Sequence, residues 1–176
     1  MVVRGNEFAS RAIEGFGGGW PSHMANLLAD GSVWDARDDL VTFDGVTYHP
    51  GVQHRPSGYL EAENQKWAIF EAPAWSEAIY DDWVATLATQ KNKPYDRAGI
   101  IDFGKGIITG KYVDQNWAED NSIAWYCDEY CIWGAGKFGL IPWPLPLKIF
   151  TQTPGSGLNL FIGAGWQLTA SQGFDS

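Results

Sequence analysis

The chain of 176 residues contains only two cysteines and three histidines, which confines any thiol or imidazole chemistry to a few positions. The cysteines, Cys127 and Cys131, stand four apart, so in a helix they share one face. A disulfide usually joins more distant segments, and free thiols are expected. His23, His49 and His54 all precede the cysteines, so a Cys-His pair must take its base from upstream. His49 and His54 have no cysteine or paired acid nearby at metal-ligand spacing, so no metal site is expected, and no cofactor motif is found. Clustered basic residues are also missing. Twelve Lys and Arg are scattered among 21 Asp and Glu, for a net charge of -9. That excludes binding that rests on neutralising a nucleic-acid backbone. No apolar run approaches the roughly 18 to 20 residues of a membrane span. The start, Met1 to Ser10, lacks a basic region followed by an apolar one, so neither a transmembrane segment nor a cleaved signal is expected and the chain reads as soluble.

Apolar and aromatic residues are plentiful, at 45% hydrophobic and 15% aromatic, enough to bury a substantial core. No internal repeat or linker divides the chain, and residues 1–176 read as one domain. Met1 to Ile13 predicts a strand that runs into the loop Gly15-Phe16-Gly17-Gly18-Gly19. The segment from Val46 to Tyr59 carries Pro50, Gly51, Pro56 and Gly58, which predicts loop with one short strand. Gln65 to Ala72 predicts a buried strand. Ser76 opens a helix whose core stripe is Ile79, Tyr80, Trp83, Val84, Leu87 and Ala88, ended by Asn92-Lys93-Pro94. A short second helix is expected over Tyr95 to Phe103. The prolines Pro142, Pro144 and Pro146 force an extended stretch. Leu147 to Thr151 and Leu158 to Thr169 then predict strands joined by a Pro154-Gly155-Ser156-Gly157 turn.

His23 to Asp39 predicts a β-hairpin, and its register decides which acid faces His23. A two-residue Asp30-Gly31 turn sets His23 opposite Asp38. A three-residue Ala29-Asp30-Gly31 loop, with Gly31 in the left-handed conformation, pairs Leu28 with Ser32 and brings Asp35 to the face of His23 instead.

Trp125-Tyr126-Cys127-Asp128-Glu129-Tyr130-Cys131 is the stretch with the chemistry. Asp120-Asn121-Ser122 offers capping side chains, so a central helix is expected from Ile123 to Trp133, stopped by Gly134 and Gly136. A cysteine near a helix start feels the positive end of the macrodipole, which favours the thiolate. Cys131, a turn further in, reads as core. Among the ten tryptophans, Trp20 beside the glycine loop and Trp125 beside Tyr126 are placed at the wall of a substrate cleft, and the rest in the core.

Taken in order, Ser22-His23 on a strand, Val33-Trp34-Asp35-Ala36 on its partner, Tyr95-Asp96 after a helix and Tyr126-Cys127-Asp128-Glu129 on a late helix resemble the circularly permuted branch of the NlpC-type papain-like cysteine hydrolases, the YiiX-like group. The resemblance spans roughly residues 5 to 135. It implies Cys127 as nucleophile, His23 as base and Asp35 as the residue that orients His23. Asp35 stands where the family often has Glu or another polar residue, and Asp128 replaces the usual Ser. A carboxylate beside the thiol tends to raise its pKa, against the helix dipole.

The resemblance further implies an α+β, papain-like fold: a twisted, largely antiparallel sheet or half-barrel packed against the nucleophile helix. It implies a thiol hydrolase acting on amides, with peptides or peptidoglycan stem peptides as first substrates and lipid-linked acyl groups as the alternative. An enzyme of the cell wall read in this way reaches its substrate with a phage particle, by lysis or through a dedicated secretion system. The contrasting class is a non-enzymatic binding or structural domain with the same fold, for which an acidic, aromatic surface would serve.

Overall fold

The computed structural model describes residues 2–4, 22–60, 66–73, 75–97, 124–142 and 154–173. Its elements are β1 (Val2–Arg4), β2 (His23–Met24), β3 (Asn26–Leu27), β4 (Val33–Arg37), β5 (Val41–Phe43), β6 (Val46–Tyr48), β7 (Gly51–Arg55), β8 (Lys66–Glu71), α1 (Glu77–Ala88), α2 (Cys127–Lys137), α3 (Pro154–Gly163) and β9 (Gln167–Gln172). The chain is mixed α+β. Its strands form three small antiparallel sheets, ordered β2-β1-β8-β9, β3-β4-β7 and β5-β6, and among the described residues no sheet closes into a barrel. No helix among the described residues is long and apolar enough to cross a membrane.

The segment from His23 to Leu27 ties two sheets together. His23 and Met24 pair with β1, and Asn26 and Leu27 pair with β4, so the chain changes sheets at the buried Ala25. The β3–β4 loop is the three-residue form. Leu28 N–H donates to Ser32 O at 2.8 Å, Gly31 N–H donates to Leu28 O at 3.0 Å, and Gly31 takes φ +81. Asp30 fixes the loop by accepting the Ser32 N–H at 2.9 Å, an Asx turn. From this register Val33, Trp34, Asp35 and Ala36 are all buried, which marks β4 as an interior strand covered on both faces.

Helix α2 is buried from Cys127 to Gly136. A helix enclosed on all sides needs no polar face, and its partners come from every direction. Trp125, Tyr130 and Trp133 pack with Trp83 and Leu87 of α1, while Cys131, Ile132 and Ala135 pack with Leu158 and Phe161 of α3. Tyr130 O–H donates to the Leu87 carbonyl at 2.9 Å and Trp125 Nε1–H to Gln90 Oε1 at 3.0 Å, so the aromatic polar atoms facing α1 are bonded.

Several expectations are corrected. Helix α2 starts at Cys127, four residues later than the capping pattern suggests, because the Trp125 backbone is used elsewhere: its N–H donates to Pro94 O and its carbonyl accepts from Asp96 N–H, each at 3.0 Å. The same bridge holds Tyr95 extended, where a second helix was expected to begin. Gly134 and Gly136 do not stop α2. Gly134 lies in its interior, where a Cβ would meet Leu87 Cδ2 at 2.8 Å, and the left-handed residue after the helix is Gly139, at φ +66. The Val46–Arg55 segment holds two strands. Pro50 and Gly51 only separate them, and the outer edge of β7 is paired, with Val52 N–H donating to Lys93 O and its carbonyl accepting from Asn92 N–H, each at 2.9 Å.

Residues 154–163 form a helix rather than a turn and strand. Proline is tolerated at a helix start, and Leu158 and Phe161, three apart, both face the core. Strand β8 follows the expected span but is only half-buried, with Ala68 alone fully enclosed. The glycine loop at 15–19, Trp20, the remainder of the expected second helix over 98–103 and the expected strand over 147–151 lie outside the described residues.

Candidate functional site

The buried centre is an arrangement of three side chains from three strands. His23 Nε2 lies 3.0 Å from Asp35 Oδ2, and Arg55 Nε–H donates to Asp35 Oδ1 at 2.5 Å. Asp35 and Arg55 are fully enclosed, and His23 alone reaches the surface, with 15% of its side chain exposed. The hairpin register produces this set. The three-residue loop puts positions 23 and 35 on one face, and the β4–β7 register, Val33↔Arg55 and Asp35↔Gln53, makes Arg55 a diagonal neighbour of Asp35. Asp38, the alternative acid, is exposed and lies near Arg97.

Charge follows from these contacts. Burial pushes the Asp35 carboxyl up, but the His23 bond and the Arg55 charge outweigh it, and Asp35 is held below the usual carboxylate range. His23 is lowered, first by burial. Asp35 pulls it up, while Arg37 and Arg55 add to the lowering. The guanidinium of Arg55 lies between two rings, with Cζ 5.1 Å from the centroid of Tyr59 and 5.4 Å from that of Tyr48. Its Nη1 and Nη2 have no hydrogen-bond partner among the described residues, so the aromatic faces stand in for acceptors.

Cys127 opens α2 at 4% exposure, a free thiol within hydrogen-bond range of the backbone N–H groups of Met24 and Asp128. Met24 directly follows His23, so the helix start lies against the strand that carries the imidazole. The thiol is not lowered as a helix-start cysteine was expected to be. Burial, and then the Asp128 carboxyl, push it well up, and the two N–H groups only partly oppose them. Asp128 is itself fully enclosed, with neither oxygen partnered among the described residues, and burial raises it to about 7. Glu129 is raised too, by burial, Asp128 and Asp96, and its Oε2 accepts the Tyr126 N–H at 3.5 Å. Side-chain electrostatics at this helix start oppose the macrodipole.

The aromatic residues expected at a cleft wall are placed differently. Trp125 is 0% exposed, with rings of Tyr130 and Trp133 packed on it, and Tyr126 is buried with its ring well enclosed, so both belong to the core. The reason is the Trp125 bridge to Tyr95, which draws this segment inward. Trp20 is outside the described residues. Cys131 is core as expected, raised by burial. His54 stacks on Trp34 and bonds Ser32 Oγ through Nε2 at 2.8 Å, and His49 is exposed. A cavity of about 310 Å³ lies on the Cys131 side of α2, with Met24, Phe70, Trp75, Trp83 and Phe161 in its wall. Arg55 is the residue missed by the sequence reading. It ends the Val-Gln-His-Arg run of β7, and only the β4–β7 register connects it to Asp35.

No protein-family model, curated protein or solved structure matches the chain.

Proposed function

We propose that this chain is a cysteine hydrolase of the NlpC-type papain-like kind, cleaving amide bonds of peptides such as peptidoglycan stem peptides with Cys127, His23 and Asp35. The observation that carries the reading is the buried His23–Asp35 bond at 3.0 Å, set one residue from the Met24 backbone that Cys127 reaches. A nucleophile, a base and a group that orients the base are the set such chemistry requires.

Asp35 is an ionised acceptor, so His23 Nε2 carries the hydrogen and Nδ1 is the basic nitrogen. The Cys127 sulfur attacks the substrate carbonyl carbon, its proton passes to Nδ1, and the carbonyl pair moves to oxygen, next to the helix-start N–H groups. Collapse expels the amine, which takes the proton from Nδ1 and leaves an acyl-thioester on Cys127. Water, deprotonated by the same nitrogen, then releases the acid.

The test is turnover of a panel of muropeptides and activated acyl esters, with trapping of the acyl-enzyme by mass spectrometry. Cys127→Ala and His23→Ala are each expected to abolish turnover, and the double variant to be no worse than either alone, because the pair acts as a unit. Additive losses, or an acyl adduct that survives Cys127→Ala, contradict the assignment. A second reading, hydrolysis or transfer of apolar acyl groups held as esters or thioesters, is favoured by the apolar cavity beside Met24. Preference for longer acyl chains in the ester panel distinguishes it.

A further inference from the structure

We propose that Arg55 sets the charge state of the site: its guanidinium supplies the one positive charge that buried Asp35 requires, so His23 rests as a neutral imidazole, free to accept a proton. The use of that proton rests on the function proposed above. The charge state itself rests on the geometry alone.

Asp35 has two oxygens and two cationic neighbours. Oδ1 takes Arg55 Nε–H at 2.5 Å, and Oδ2 faces His23 Nε2 at 3.0 Å. With Arg55 always protonated, Arg55 and Asp35 already sum to zero. Adding a proton to His23 would create an unbalanced charge against two fully enclosed groups, which a low-dielectric interior resists. Were Arg55 neutral, Asp35 would be the unbalanced charge, and His23 would be the group able to cancel it. Arg55 is committed to this task. Its position between Tyr48 and Tyr59 holds the plane, and Asp35 is its one carboxylate partner among the described residues.

The other charges facing His23 do not alter the count. Arg37, on β4, is matched by Asp39 through Nε–H to Oδ1 at 2.8 Å and Nη2–H to Oδ2 at 2.7 Å. Helix α2, packed against β2, opens with Cys127, Asp128 and Glu129, all three pushed up by burial. With burial raising the thiol and lowering the imidazole, Cys127 and His23 both rest uncharged. Proton transfer from Sγ to Nδ1 accompanies the formation of the S–C bond, and no thiolate–imidazolium pair is stored beforehand.

The experiment is a ¹⁵N NMR titration of the His23 ring in the full chain, with no substrate, in the wild type, Arg55→Met and Arg55→Lys. In the wild type, His23 should be the Nε2–H tautomer at neutral pH, with a midpoint below the usual value of about 6.5. Arg55→Met should raise the midpoint by about one unit, a roughly tenfold gain in the protonated form at a given pH. Arg55→Lys, which keeps the charge, should return it toward the wild type, a rescue that a merely structural role would not give. A wild-type midpoint above about 6.5 overturns the proposal without any variant. So does Arg55→Met leaving a folded protein with an unmoved midpoint, or Lys behaving as Met does. Because this titration needs no turnover, a correct His23 midpoint with an inactive protein separates failure of the hydrolase reading from failure of this one.

Discussion

Asp35 and Asp128 are equally buried, at 0% exposure, and have opposite fates. Asp35 lies between a guanidinium and an imidazole and stays ionised, below the usual range. Asp128 has no cationic or side-chain partner among the described residues, the nearby backbone N–H groups of Asp128 and Glu129 only partly oppose burial, and it rises to about 7. Burial alone therefore does not decide the charge of a carboxyl. The partner brought by the neighbouring strand does. The consequence for the thiol is direct, because Cys127 adjoins Asp128 and is pushed up by it as well as by burial.

The largest effect should come from breaking the partnered side. Asp35→Leu leaves Arg55 charged, enclosed and unmatched, and should cost about 3 to 5 kcal/mol in chemical denaturation. Asp35→Asn is gentler on the fold but offers a single oxygen to two donors, so either His23 or Arg55 loses its acceptor. Turnover should fall on the order of 10² to 10⁴. A variant with unchanged rate would remove Asp35 from the site.

The unpartnered side should respond in the opposite sense. Folded Asp128 keeps its proton to about pH 7, whereas an unfolded aspartate loses it near 3.8. Its contribution to stability is therefore complete below the unfolded value and lost as pH rises toward 7, on the order of 4 kcal/mol in all. Asp35 has the reverse sign: its stabilisation is present above the unfolded value and lost as pH falls through its lowered one. Asp128→Asn should flatten the fall in stability between about pH 4 and 7, followed by urea denaturation at each pH. It should also speed iodoacetamide labelling of Cys127, since a like charge next to the thiol is gone. Labelling slower than wild type at every pH would contradict the stated effect on the thiol.

Smaller effects test how tightly the acidic side is packed. Gly157→Ala places a Cβ 3.0 Å from Met24 Sδ and 3.4 Å from Asp128 Cβ, and should lower stability by about 1 to 3 kcal/mol. A melting temperature equal to wild type would mean that α3 yields freely. Asp38→Asn, at an exposed position, should shift stability by no more than about 0.5 kcal/mol and leave turnover unchanged.

The two regions also differ in how far the sequence revealed them. The His23–Asp35 contact was legible as one of two alternatives, because strand pairing has period two and the loop Ala29-Asp30-Gly31 contains a glycine able to take positive φ. Arg55 was not, since nothing local pairs β7 with β4, and the prolines and glycines around it suggested loop. At the other end, the helix carrying Cys127 was legible but its start was not. Capping residues at 120–122 predicted an early beginning, and the long-range Trp125–Tyr95 bridge took precedence. That bridge also turned Trp125 and Tyr126 from expected cleft residues into core. Residues 154–163 misled for a local reason: Pro and Gly mark turns and also fit a helix start and a close helix contact, and only the burial of Leu158 and Phe161 decides between them.

The most direct test of the central claim is ¹³C-carboxyl NMR of aspartate-labelled protein, titrated from about pH 2 to about 9, with Asp35→Asn and Asp128→Asn used to assign the two signals. The account predicts that the Asp128 carbon shifts near pH 7 and that Asp35 stays ionised until below the usual 3.8. Two midpoints together near 4, or the reverse order, would contradict it.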